Sequence, residues 1–243
     1  MKRLLSVMVI AGLASTMALA QEVFDLTMKP KVGLKVGYSI KIASPETQTP
    51  AGNFSLNVNL KTKTTFLEIT DKEIVSEDEV TDFEVLLNGN PMDMVTDQVK
   101  GTKSKTTRSL DWKVIKTEGG ESPMAGSPRY EAMMAFATPV GKVKIGDEIV
   151  RDIPGNKEKG VTAARGKMTV KETKMVEGVK YVVLEIAYSE LEGEKPMGMV
   201  GTVLVEASTG ILYSMKASMN DVSMNQMMPP MNLTMEMVRI PAQ

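Results

Sequence analysis

The sequence predicts a mainly β protein: a curved antiparallel sheet, forming an open barrel or a sandwich, built from two similar halves. Three observations carry that expectation. Apolar residues alternate with polar ones at period two along much of the chain, the pattern of strands with one wet face. Turn-forming pairs such as Asp71-Lys72, Glu177-Gly178 and Thr209-Gly210 separate these runs, where hairpins should reverse. Two seven-residue segments also echo one another, residues 34–40 and 143–149.

Residues 1–20 read as a secretory signal peptide. Met1-Lys2-Arg3 is a basic start, residues 4–13 are largely apolar, and Ala18-Leu19-Ala20 fits the A-x-A cleavage pattern. The apolar stretch falls short of the ~20 residues that span a bilayer. No Cys follows to carry a lipid, so the expected product is a soluble exported protein, periplasmic or extracellular, without disulfides. Cleavage removes Lys2 and Arg3, taking 29 basic residues to 27 against 30 acidic ones, a net charge of −3. That near-balance argues against nucleic acid as a partner, which needs a basic footprint. The mature chain contains no stretch expected to cross a membrane.

Strands follow in order. Leu34, Val36, Tyr38, Ile40 and Ile42 alternate with Lys35, Gly37, Ser39 and Lys41; Phe54, Leu56, Val58 and Leu60 alternate with Ser55, Asn57 and Asn59. Residues 80–87, 110–115, 179–188, 200–205, 211–219 and 231–240 supply further candidates. One short helix is expected near 128–137, with Ser127 as cap, Pro128 in the first turn, Met133 and Phe136 on one side, and Pro139 closing it.

The echo sets Leu34-Lys35-Val36-Gly37-Tyr38-Ser39-Ile40 against Val143-Lys144-Ile145-Gly146-Asp147-Glu148-Ile149. Each copy precedes a long strand, a tight turn and another long strand. A duplicated β unit would give a first half over 21–123 and a second over 124–243, the latter holding the helix and the Met-rich strands. Coincidence between two amphipathic strands is the alternative. Gly37 and Gly146 are expected at a turn or bulge.

Residues 136–149, Phe-Ala-Thr-Pro-Val-Gly-Lys-Val-Lys-Ile-Gly-Asp-Glu-Ile, resemble the helix-to-strand entry of a group of exported bacterial two-part β proteins of unknown function. In that group a proline and a V-K-[VI]-G-D strand begin the second half; an aromatic often follows the Gly-Asp pair, where this chain has Ile149. The resemblance implies a two-part β architecture and transfers no catalytic residue. By analogy alone, the architecture is also similar to that of periplasmic lipoprotein carriers, which wrap a curved sheet around a greasy cavity.

The chain has no His and no Cys, which excludes a Ser-His-Asp triad, a Cys-His pair and the usual zinc sites. No nucleotide-binding or nucleophile-elbow motif appears. No cofactor is expected, and the chain is read as non-enzymatic. Glu77, Asp78, Glu79, Asp82 and Glu84 form the densest acidic run; paired carboxylates can serve hydrolysis or hold Ca²⁺, and a solvated hairpin face is the plainer reading. Residues 100–108 form the strongest basic cluster, which could meet an anionic headgroup or polysaccharide; a solvated loop or edge strand is the plainer reading. Trp112 shares the parity of Leu110 and Val114, an apolar face.

Methionine accounts for 21 residues, and Met215, Met219, Met224, Met227, Met228, Met231, Met235 and Met237 crowd the C-terminal end. Parity places Met215 and Met219 on one strand face with Ile211 and Tyr213, and Met231, Met235 and Met237 on another with Leu233. Such residues fill a soft core. Met224, Met227 and Met228 fall in a loop before Pro229-Pro230, and with Met231 they form a candidate thioether site for Cu(I) or Ag(I). The favoured expectation is an exported binding or structural component of the bacterial cell envelope, whose Met-lined sheet face accepts a lipid or other apolar small molecule. The Met-only metal site is the alternative, and a carboxylate hydrolase the second alternative.

Overall fold

In the computed structural model, which describes residues 22–49, 52–110, 114–119, 128–139, 141–158, 160–222 and 230–242, the alternating segments fold into one large sheet. Its strands are β2 (Lys35–Thr49), β3 (Gly52–Ile69), β4 (Glu73–Leu87), β5 (Asn90–Pro91), β6 (Lys103–Ser109) and β7 (Val114–Gly119), then β9 (Glu148–Ile153), β10 (Ala164–Val176), β11 (Val179–Glu190), β12 (Gly198–Glu206), β13 (Leu212–Val222) and β14 (Met231–Ile240). The order is β7-β6-β4-β3-β2-β14-β13-β12-β11-β10-β9, with β5 paired to β4 beside that path. All pairings are antiparallel, and β1 (Val23–Asp25) pairs with β8 (Lys142–Lys144) in a small second sheet. Two helices complete the set, α1 (Asp93–Val99) and α2 (Pro128–Phe136).

Two meanders, β2–β7 and β9–β14, join where β14 pairs with β2, Met237 opposite Ile40. The sheet is therefore continuous through both halves of the chain and stays open, with β7 and β9 as its free edges. Eleven strands about 4.8 Å apart would make a flat sheet roughly 50 Å wide, far more than one nine-residue helix can cover. Curvature resolves the mismatch. Val80, Phe83 and Val85 of β4 share one buried cluster with Met168 and Val170 of β10, and Tyr130, Met133 and Phe136 of α2 pack into it.

The hairpin turns fall where the sequence places them. Glu177 and Gly178 both take positive φ, 50° and 81°, the geometry of the two-residue turn that matches strand twist. Of the expected strand at 110–115, Leu110 follows the end of β6 at Ser109 and Val114 and Ile115 belong to β7, while residues 111–113, Trp112 among them, lie outside the described residues. The expected helix is α2; its cap Ser127 also lies outside them. α1 was not expected, because it buries no residue and has no side-chain cap, so no apolar stripe announces it.

The two echoing segments take different structures. Residues 34–40 run into β2 at the centre of the sheet, whereas residues 143–149 leave β8, turn at Gly146 and enter the edge strand β9. Gly37 has no room for a side chain, since a Cβ there would stand 3.0 Å from the carbonyl oxygen of Ile240. Gly146 faces open space and is needed for its φ of 91°. One glycine answers to a close approach, the other to a turn.

Candidate functional site

Alternation along each strand sends one set of side chains inward, and α2 divides the space they enclose. On one flank α2 is pinned. The ring of Phe136 rests on Gly166 of β10, and the Phe136 and Tyr188 centroids lie 5.9 Å apart. At the start of the helix, Arg129 forms a two-pronged ion pair with Glu190 of β11, its Nε donating at 2.8 Å and an Nη2 hydrogen also reaching the carboxylate. Arg129 donates to the Lys195 carbonyl as well, and Glu190 accepts from the Met197 amide at 2.7 Å. The Glu190 side chain is fully buried and that of Arg129 is 26% exposed. Such a pair positions a helix more than it stabilises one.

The other flank is open. A cavity of about 800 Å³ lies between α2 and the inner faces of β2, β3, β4, β6, β13 and β14. Tyr130 and Met134 of α2 form one wall. Opposite them stand Ile40 and Leu60, with Met215, Met235 and Met237 beside these. Methionine suits such a wall because its unbranched thioether adapts to ligands of irregular shape. The volume falls in the ordinary range for small-molecule sites, about 300–1,000 Å³.

Polarity changes across the cavity. Toward the β7 edge the lining becomes Thr62, Asp78, Ser104, Thr106, Arg108 and Thr117. Asp78 accepts from Thr64 Oγ1 at 2.6 Å and from Arg108 Nη2 at 3.4 Å, and Arg108 Nη1 donates to Ser76 Oγ at 2.8 Å. Ser76 and Thr106 are buried. On the apolar side, Tyr38 donates its hydroxyl to the Leu212 carbonyl at 2.9 Å, and burial raises its pKa above the usual tyrosine value. Burial likewise pushes Tyr130 up to about 12. Neither phenol is ionised at neutral pH.

The acidic and basic runs of the sequence turn out to be partners. Pairing of β4 with β6 sets Glu77 opposite Lys105 and Glu79 opposite Lys103. Lys103 reaches Glu77 at 3.4 Å, Lys63 reaches Glu79 at 3.0 Å, and Lys61 reaches Asp82 at 3.0 Å. The hydrogen bond from Lys63, chiefly, holds the Glu79 carboxyl below its ordinary pKa. Two members of the run, Asp78 and Glu79, line the cavity, and Asp78 shares the parity of the buried Ile74, Ser76 and Val80. The parity of Asp78 is readable in the sequence. The basic run is not an edge strand, since β7 covers β6.

Met224, Met227 and Met228 lie outside the described residues. Met231, their candidate companion, begins β14 and is buried in the main core. Among the described residues no group of three or more acidic side chains is placed to hold a metal ion, and no helix is long and apolar enough to cross a membrane. A second depression, of about 660 Å³, lies over the outer face of β10–β14. Its rim is charged, with Lys216 paired to Glu236 and Lys167 to Glu148, beside the exposed Val200.

Sequence reasoning foresaw the Met-lined face and missed three things: the wall supplied by α2, the Arg129–Glu190 pair, and the approach of Phe136 to Gly166. Arg129 and Glu190 are 61 residues apart, and no local pattern links them. No protein-family model matches the chain, and no curated protein matches it significantly.

Proposed function

We propose that the mature chain is an exported, non-enzymatic binding protein of the bacterial cell envelope that holds a lipophilic ligand between α2 and the inner face of the sheet. The observation that carries this reading is the cavity of about 800 Å³ walled by Met134, Met215, Met235 and Met237. These apolar side chains line a space instead of packing against one another, whereas protein interiors otherwise pack to crystal-like density. The signal-peptide pattern of residues 1–20 supports export. Without His or Cys, the chain offers few of the groups on which hydrolytic or redox catalysis usually relies.

Native mass spectrometry after mild purification tests the reading. The expected result is a population heavier than the mature polypeptide by the mass of an apolar molecule, lost on extraction with organic solvent. A clean polypeptide mass in every preparation, together with no uptake of added amphiphiles, would remove the proposal.

A further inference from the structure

We infer that the cavity takes a single-chain amphiphile with an uncharged polar head, the tail lying over Ile40 of β2 and the methionines of β13 and β14, and the head against Arg108 and Asp78. This rests on the reading of the cavity as a lipophilic site and adds the class of ligand and its direction.

Direction follows from the lining. The apolar wall, formed by Ile40, Met215, Met235 and Met237, belongs to the middle of the sheet. The hydroxyls and charges, Thr106, Thr117, Asp78 and Arg108, belong to strands next to the open β7 edge. An acyl chain loses least by lying over the first set, and a wet head by lying near the second.

Head charge follows from the ion pairs. Arg108 already meets Asp78 at 3.4 Å, and Lys103 meets Glu77 and Glu79 at 3.4 and 3.6 Å. A carboxylate or phosphate brought here would have to displace Asp78 from Arg108 and leave an acid stranded, or lie beside that acid unpaired. Either costs more than the new contact returns. An uncharged hydroxyl or ester head needs only donors and acceptors, and the threonine and serine hydroxyls provide both.

Chain number follows from volume. If a methylene fills the ~30 Å³ that a water molecule takes in the liquid, one chain of about 16 carbons needs roughly 480 Å³. Two need roughly 960 Å³. The cavity of about 800 Å³ is matched more nearly by the first with its head than by the second with its own.

Displacement of a fluorescent apolar probe from the purified, delipidated mature protein at pH 8 tests the inference. The ligands are a monoacylglycerol, the fatty acid of the same chain length, and the matching diacylglycerol. The monoacylglycerol is expected to bind at least about ten-fold tighter than the fatty acid and tighter than the diacylglycerol. Asp78→Asn, which removes the carboxylate that meets Arg108, is expected to raise fatty-acid affinity relative to that of the monoacylglycerol and narrow the gap, a selective change that general exposure of apolar surface would not produce. Equal or tighter fatty-acid binding by the native protein overturns the neutral head, and equal diacylglycerol binding overturns the single chain. A gap unchanged in folded Asp78→Asn overturns the placement of the head. The native-protein comparison stands whether or not the variant folds. Failure of the probe and all three lipids to bind would instead remove the lipophilic reading itself.

Discussion

The ring of Phe136 fills the space that a side chain on Gly166 would need. A Cβ built there would stand 2.2 Å from Phe136 Cε2 and 2.4 Å from Cζ. Glycine in a strand normally weakens it; here it leaves a bare patch of β10 on which the last residue of α2 seats. The helix is thereby held against one side of the curved sheet, and the cavity on its other side persists.

Gly166→Ala should therefore displace α2, at a cost of about 1–3 kcal/mol for an overpacked contact. Phe136→Ala should cost about 3–5 kcal/mol. The double variant should lose clearly less than the sum, because removing the ring removes the clash. Urea unfolding of the four proteins measures the coupling, and strict additivity would mean that the two residues do not meet.

Arg129→Met should destabilise the protein by about 3 kcal/mol, since it strands the buried Glu190 carboxylate. Arg129→Met combined with Glu190→Met should recover part of that loss, though not all, because the Met197 amide loses its acceptor. Thermal melts of the two variants and the native protein check this. A single variant as stable as the native protein would show that the pair does not anchor α2.

Stability should be nearly flat from about pH 6 to 8, because no histidine or cysteine titrates there. Below that it should fall. Hydrogen bonds from Lys29 and then Thr27 hold the Asp25 carboxyl at about 2, against an ordinary 3.8. At Glu206 burial pushes the pKa up, but the hydrogen bonds from Ser208 and Arg239 outweigh it, and the carboxyl ends below its usual value. A depressed carboxylate contributes stability that is fully present above its unfolded pKa and is lost as pH falls through the folded one. The loss from Asp25 thus falls between about pH 4 and pH 2. Urea midpoints across this range should drop, and less steeply in Asp25→Asn. A midpoint that rises on acidification would contradict the ion-pair assignments.

Much of the sheet was legible because period two is a local signal: Met231, Leu233 and Met235 declare the inner face of β14 without reference to any other strand. Turn chemistry was equally local, as at Glu177-Gly178. What the sequence could not convey was which strands become neighbours. The acidic run on β4 and the basic run on β6 look like two separate solvated patches until register sets Glu79 opposite Lys103. Nor does anything near Gly166 announce that a ring from residue 136 will lie on it. The cavity itself is a product of curvature and of where α2 is pinned, and both depend on contacts distant in sequence.

The central claim is that an apolar ligand occupies the space under α2. Photolabelling with a monoacylglycerol carrying a diazirine in its chain, followed by peptide mapping, tests it most directly. The account predicts adducts on Met134, Met215 and Met237 that an excess of unlabelled monoacylglycerol suppresses. Adducts confined to the outer face of β10–β14, or labelling that the unlabelled lipid leaves unchanged, would contradict it.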